Sequence, residues 1–375
     1  MIYLDSTATT VVLKEVADEV LKCLTQEYGN PSSAHSLGIT ANTLVEEARK
    51  VLLKSLNLEN SHICVFTSGG SEGNTQVLKG IAKLFPGKSI VIGGIEHNSV
   101  RTAATDLLID GVEVKTAEIG KDGKFNLDDF LSLIDKNTKL VSIMTVNNET
   151  GIVFPVEEIA KRVKEKNPSC FVHTDYVQGF MKIKKDLKNI DFITVSAHKI
   201  FAPKGAGALF LRKGTNLPSL IAGSQEYGIR GGTHNVSGIA GLKKAVEMLE
   251  KDVEKHYEQA EKLKKILIDT LALKLKDFTV FEGKNLSPYI IGLFAKKIES
   301  EVIVRMLSEK KVFISAGSAC SAKDKVKSKT ILAMGLNPDE YLRISVNPVV
   351  NSEEEVKKGA EIIAETIEEY REIFG

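Results

Sequence analysis

Lys199 and Asp175 are the two residues of this chain whose types and settings most directly suggest chemistry. Lys199 closes Ser196-Ala197-His198-Lys199, immediately after the apolar run 192–195. An amine held at the end of a buried strand loses part of its solvation, so its pKa falls and it becomes a nucleophile toward carbonyl carbon. Asp175 closes a second apolar run, in His173-Thr174-Asp175-Tyr176-Val177-Gln178. An imine-forming lysine and a carboxylate that keeps a ring nitrogen protonated, set on adjacent strand ends, are the pair that pyridoxal phosphate requires. Ser196 and His198 add hydrogen-bond donors where a cofactor phosphate could sit.

Four further clusters follow apolar runs or lie within one. Thr67-Ser68-Gly69-Gly70-Ser71-Glu72-Gly73 opens a helical pattern, and such a turn serves equally as a plain cap and as a phosphate cradle. Glu96-His97-Asn98-Ser99 carries a histidine that is either structural or an acid/base stacked on a ring face. Asn147-Asn148-Glu149-Thr150-Gly151 reads as a turn whose second amide could reach a substrate. Arg343, in Tyr341-Leu342-Arg343-Ile344-Ser345, is a solvated edge residue or a guanidinium fork for a carboxylate.

The elements that must position these groups alternate. Strands are predicted over 63–67, 89–93, 112–117, 139–145, 170–174, 192–195 and 206–211, with helices over 72–84, 99–108, 127–134 and 156–166. That order predicts an α/β fold with a mostly parallel, seven-stranded sheet covered on both faces. Ligands of such sheets bind beyond the carboxyl ends of the strands, where Asp175 and Lys199 fall. A Lys/Glu-rich helical pattern over 237–273 leads into a smaller α+β domain, with strands over 289–294, 312–315 and 342–346. Its helices are expected over 301–310, 327–334 and 353–373. The predicted division is an N-terminal segment 1–14 packing near the small domain and the site, a large domain 15–250 and a small domain 251–375.

Composition narrows the function. Apolar residues make up 43%, charged residues 26%, and the net charge is +1. This excludes a disordered chain and gives no electrostatic case for nucleic acid or membrane binding. The sequence shows no signal peptide and no membrane span, so a cytoplasmic protein is expected. Cys23, Cys64, Cys170 and Cys320 lack metal-ligand spacing, and no metal is expected. The first three lie in strand-like or helical apolar patterns and read as packing. Cys320 lies in the small-residue run Gly317-Ser318-Ala319-Cys320-Ser321, where a thiol is expected to be accessible.

The ordered set resembles the class V aminotransferase-like family of pyridoxal phosphate enzymes, and within it the cysteine desulfurases. The match runs from Tyr3-Leu4-Asp5 and Ala8-Thr9-Thr10 through Gly29-Asn30-Pro31-Ser32-Ser33-Ala34-His35 and the stretch from Gln225 to Asn235, to Gly317–Ser321 and Arg343. The resemblance implies a fold-type I transferase. Lys199 would hold pyridoxal 5′-phosphate, Asp175 would pair with the pyridinium, and Gln178 would bond the ring oxygen. His97 would stack on the ring and move protons. Gly70, Ser71, Ser196 and His198 would bind the phosphate, completed by Thr233 from the second subunit of a homodimer. Asn148 and Arg343 would grip the carboxylate of L-cysteine. Cys320 would take the sulfur as a persulfide and pass it to an acceptor protein, in iron–sulfur cluster assembly or tRNA thiolation. The 23 positions from Cys320 to Arg343 resemble the long-loop type. Departures are Ser6-Thr7, Gly70 for alanine, Gly231 for serine, and Tyr176, which is expected to set a large ring beside the pyridine pocket. Competing readings are an aminotransferase or selenocysteine lyase of the same fold, a non-catalytic adaptor, and a nucleotide-binding protein using 69–73.

Overall fold

The computed structural model describes residues 1–120, 123–283, 285–317 and 327–374. In chain order its first elements are β1 (Ile2–Tyr3), α1 (Lys14–Thr25), α2 (Ser36–Ser55), β2 (His62–Thr67), α3 (Gly70–Leu84), β3 (Ser89–Gly93) and α4 (Asn98–Ile109). Next come β4 (Val114–Ala117), α5 (Leu127–Ser132), β5 (Thr138–Ser142), α6 (Val156–Lys166), β6 (Phe171–Asp175), β7 (Phe192–Ser196) and β8 (Gly207–Arg212). The remainder is α7 (Val236–Leu249), α8 (Val253–Lys274), β9 (Phe278–Val280), β10 (Ile290–Ala295), α9 (Ser300–Glu309), β11 (Val312–Phe313), α10 (Lys329–Ala333), β12 (Tyr341–Ser345) and α11 (Glu353–Phe374).

Seven strands form one sheet in the order β2-β8-β7-β6-β5-β3-β4. Neighbours from β7 to β4 pair in parallel, and only β8 runs against the rest. The two-residue period of the strands sends alternate side chains to opposite faces. Val65, Ile90, Ile92, Leu140, Leu209 and Leu211 pack on one side with residues of α3 and α4. Cys64, Phe66, Val91, Val141, Val172 and Phe210 pack on the other with α2, α6 and α7. With both faces covered, the strands read as apolar runs, and polar chemistry is pushed to their ends.

A second layer holds the antiparallel sheet β12-β10-β9, with β1 paired to β11 beside it. Ile2, Leu4, Leu267, Leu293, Leu342 and Ile363 share its core. The chain's first residues connect the two layers. Leu4 N–H donates to Phe313 O, Asp5 bridges to Ser345, and Thr10 N–H donates to His198 O.

The helical pattern expected over 237–273 is two helices, separated by a 3-10 turn at Glu250–Asp252. The halves face different surroundings. α7 buries Gly238, Ile239, Ala240, Gly241, Leu242, Ala245 and Val246, whereas α8 buries a single stripe that includes Leu263, Leu267 and Leu271. No proline or glycine marks the bend, so the packing of each half onto its own core sets it. α2 was not anticipated, because its apolar positions are diluted by polar ones along its length.

Candidate active site

The carboxyl ends of the parallel strands open on a cavity of about 230 Å³. Its walls carry Gly70, Ser71, His97, Asn148, Asp175, Gln178, Ser196, His198, Lys199 and Arg343, together with Thr7, Ala8, Met144 and Val177. Ten of the twelve residues singled out from sequence therefore meet in one place. Thr233 does not; it is exposed, in the loop before α7. Cys320 lies outside the described residues. The larger groove, about 1370 Å³ beside β9, has mostly apolar walls and none of these residues.

Local structure explains each position. β7 ends at Ser196, and a 3-10 turn, Ala197–Lys199, swings Lys199 across the strand end. Its Nζ donates to the carbonyl oxygens of Thr7 at 2.7 Å and Ala8 at 2.6 Å. Gly69, with φ 151°, turns the chain from β2 into α3 in a conformation that L side chains rarely adopt. A Cβ on Gly70 would stand 2.8 Å from Val177 Cγ2, so alanine does not fit beside this valine.

Asp175 is buried and accepts two hydrogen bonds, from Asn74 Nδ2 at 2.7 Å on Oδ2 and from Val177 N–H at 3.0 Å on Oδ1. His97 caps α4. Its Nδ1 accepts from Ser99 N–H at 3.2 Å and lies 2.8 Å from Ser99 Oγ. Burial chiefly lowers its pKa, and Lys199 and Arg101 add to that against the opposing pull of Asp175 and Glu149. Burial and the charges of Lys199, Lys204 and Lys182 push His198 down to about 3. Burial holds the Glu96 carboxyl well above the usual range, while its Oε1 accepts from Met144 N–H at 2.7 Å.

The two asparagines divide their work. Asn147 Oδ1 accepts from Glu149 N–H, Thr150 N–H and Thr150 Oγ1, which makes the turn and leaves Asn148 at the cavity. Arg343 is buried, with Nη2 2.8 Å from Asp5 Oδ1 and Nη1 donating to Asn148 O at 3.1 Å. Its Nε has no partner among the described residues. Arg343 is therefore buried and not a solvated edge residue, and Asp5 is its anionic partner.

Tyr176 corrects an expectation. Its ring does not line the cavity: it packs against Gly179 and Phe180, and its hydroxyl donates to Ile183 O. The wall residue is Val177.

Several participants were not visible in the sequence. Lys182 is buried and donates to Gln178 Oε1 at 3.2 Å, while Gln178 Nε2 donates to Thr7 O at 3.1 Å. Burial and the neighbouring Lys199 lower the Lys182 amine to about 7. Glu226 anchors the loop that presents Thr233. It accepts from Arg49 at 2.9 and 3.0 Å, from Phe66 N–H at 2.8 Å and from His234 Nε2 at 2.7 Å. Burial alone would raise the Glu226 carboxyl, but the bonds from His234 and Arg49 hold it at about 2. Asn74 offers the one retrievable signal, since it lies one turn after Gly70 in a helix that opens at the site. The thiols of Cys23, Cys64 and Cys170 are buried, and burial raises all three, to about 11 for Cys23 and about 12 for Cys170. They are packing residues, as expected.

Comparison with known proteins agrees with this geometry. The profile of the family described as Aminotransferase class-V matches residues 2–358. The cysteine desulfurase of Trichormus azollae is 38% identical over 379 residues, covering 99% of this chain and 94% of that protein. A solved NifS-like protein superposes with a TM-score of 0.90 at 32% identity, covering 98% and 99% of the two chains. A structure described as SspA in complex with cysteine superposes with a TM-score of 0.81 at 30% identity, covering 93% and 99%. Among the described residues, no helix is long and apolar enough to cross a membrane.

Proposed function

The chain belongs to the class-V aminotransferase family, and we propose that it is a cysteine desulfurase using pyridoxal 5′-phosphate. It would take sulfur from L-cysteine, leaving L-alanine and a persulfide on Cys320. The observation that carries this reading is the convergence of Lys199 and Asp175, from two strand ends, on the cavity that also holds His97, Gln178 and Arg343.

The residues present fit that cofactor. Asp175 is buried at the cavity wall and held in place by two N–H donors, a setting from which a carboxylate could pair with a pyridinium. Gly69 and Gly70 leave backbone room at the start of α3, where Ser71, Ser196 and His198 supply donors for a phosphate. Pyridoxal phosphate, when bound, supplies the electron sink for a carbanion at the amino acid Cα. Lys199 would hold it covalently, and Gln178 would donate to its ring oxygen. Thr233 is exposed, which suits completion of the phosphate site in a second copy and supports a homodimer.

Asn148 and Arg343 would hold the substrate carboxylate. Arg343 is already oriented by Asp5 and the Asn148 carbonyl, so little side-chain freedom is lost on binding. The Cys320 thiolate then attacks the substrate sulfur. An S–S bond forms, and the C–S bond breaks with its electron pair staying on the three-carbon fragment, which leaves protonated as alanine. An acceptor protein, an iron–sulfur scaffold or a thiolating enzyme, would remove the outer sulfur. The division into a segment 1–14, a large domain 15–250 and a small domain 251–375 belongs to the same reading, with Arg343 carried by the small domain.

The test is product formation from L-cysteine by the purified, cofactor-loaded protein, with Cys320→Ala beside it. Alanine and a protein persulfide from the wild type, and no persulfide from the variant, are expected. Undiminished sulfide release by Cys320→Ala would remove the nucleophile assignment.

A further inference from the structure

Two polar side chains behind the cavity wall, the buried Asn74 and the half-buried Ser99, have no task in the reading above. Asn74, fully buried on α3, donates through Nδ2 to Asp175 Oδ2 at 2.7 Å and to Ser99 Oγ at 2.9 Å. Both hydrogens of that amide are used. The reversed amide would set an oxygen against the Asp175 carboxylate at the same distance, so the orientation is fixed, and Oδ1 is left without a partner. Ser99, having accepted from Asn74, has one proton to give, and His97 Nδ1 stands 2.8 Å away. That nitrogen also accepts Ser99 N–H at 3.2 Å. A ring nitrogen that accepts two hydrogen bonds carries no proton, so the proton of the neutral ring sits on Nε2.

We infer that Asn74 and Ser99 form a positioning relay that holds His97 as its neutral Nε2–H tautomer and joins it through hydrogen bonds to the Asp175 carboxylate. The inference deepens the proposed function and rests on it only in assigning His97 and Asp175 to a cofactor ring. His97 then offers the cavity a hydrogen-bond donor at Nε2. Protonating Nδ1 would break the cap of α4 and force the Ser99 hydroxyl to turn. The charged groups facing the ring divide. Lys199, beyond β7, and Arg101, on α4, oppose a cation, whereas Asp175, at the end of β6, and Glu149, after β5, favour one; burial sides with the former pair.

The relay is read directly by nitrogen NMR of the full chain labelled at its 7 histidines, without and with pyridoxal phosphate, His97 being assigned by loss of its signals in His97→Asn. Nε2–H shifts that persist below the ordinary histidine midpoint of about 6.5 are expected. Ser99→Ala removes a donor to the neutral ring and should raise the midpoint by roughly 0.7 pH units, the equivalent of one hydrogen bond of about 1 kcal/mol; Ser99→Thr should restore it. Asn74→Leu keeps the burial without the donor and should weaken pyridoxal phosphate retention roughly tenfold. An Nδ1–H tautomer in the wild type, or an unmoved midpoint in Ser99→Ala, overturns the relay. Should Asn74→Leu not fold, the two Ser99 variants still decide the matter. The tautomer is measured without substrate, so a protein inert toward L-cysteine would sink the proposed function and leave this result standing.

Discussion

At Glu226 four donors from Arg49, Phe66 and His234 converge on one buried carboxylate and keep it charged, its pKa near 2. Around the cavity, buried groups of the same kinds keep unused capacity. Among the described residues Arg343 Nε, Asn74 Oδ1 and Glu96 Oε2 have no partner, as His234 Nδ1 has none beside Glu226, but here Glu96, His198 and Lys182 are also pushed toward their neutral forms. A buried polar group that is fully satisfied fixes a conformation. One held with spare donors and a displaced pKa is costly in isolation and belongs where a ligand is to be met. The first region is built for shape, the second for chemistry.

The contrast breaks first at Lys199. Lys199→Ala should abolish L-cysteine turnover, a loss of at least ~10⁴-fold or about 5 kcal/mol of barrier, and remove the visible absorbance of covalently held cofactor. Urea unfolding of the cofactor-free variant, which loses the bonds from Nζ to the Thr7 and Ala8 carbonyls, should fall by no more than about 1–3 kcal/mol. Turnover retained by the variant would contradict the assignment of Lys199.

Glu226→Gln should do the reverse. The buried Arg49 keeps its charge and loses its buried counter-ion, keeping only the half-exposed Glu46, a change that costs up to about 3–5 kcal/mol. The sign with pH follows from the depressed carboxyl. Its contribution is fully present above the ordinary value of 4.5 and is lost as pH falls through about 2. The gap between wild-type and variant urea midpoints should therefore be widest above pH 5 and close toward pH 2. A gap independent of pH would mean that packing, and not charge, holds the knot.

The sequence disclosed the chemistry end of this contrast better than the structural end. Lys199, Asp175, His97 and Asn148 each follow an apolar run, and in a parallel sheet strand ends gather on one side, so residues scattered over a hundred positions become neighbours. The Glu226 knot joins α2, β2 and the loop before α7, contacts separated by up to 177 positions with no periodic signature. The Asp5–Arg343 pair spans 338 positions. Tyr176 was misplaced because the order of residues after a strand does not say which way each one turns. Asn74 and Lys182 were overlooked for a shared reason: inside a helix or a turn, a polar residue reads as solvated until its surroundings are known.

Lys182 gives the finest probe, an effect small at any one pH step and read from a slope. Its amine is lowered to about 7 by burial and by Lys199, against an ordinary value of 10.5. Between those values the unfolded chain binds a proton that the folded chain does not, so stability should rise with pH there, by up to about 1.4 kcal/mol per unit. Below pH 7 both states are protonated and the dependence ends. Lys182→Met fills a similar space without the titrating group and should flatten the slope of urea stability against pH between 7 and 10. It should also free Gln178 Oε1, which Lys182 Nζ now engages at 3.2 Å. That amide could then turn over and present its oxygen to the cavity, and the pH dependence of the bound cofactor's absorbance should shift with it. A flattened slope with unshifted absorbance would place Lys182 with Glu226, among the groups that hold shape.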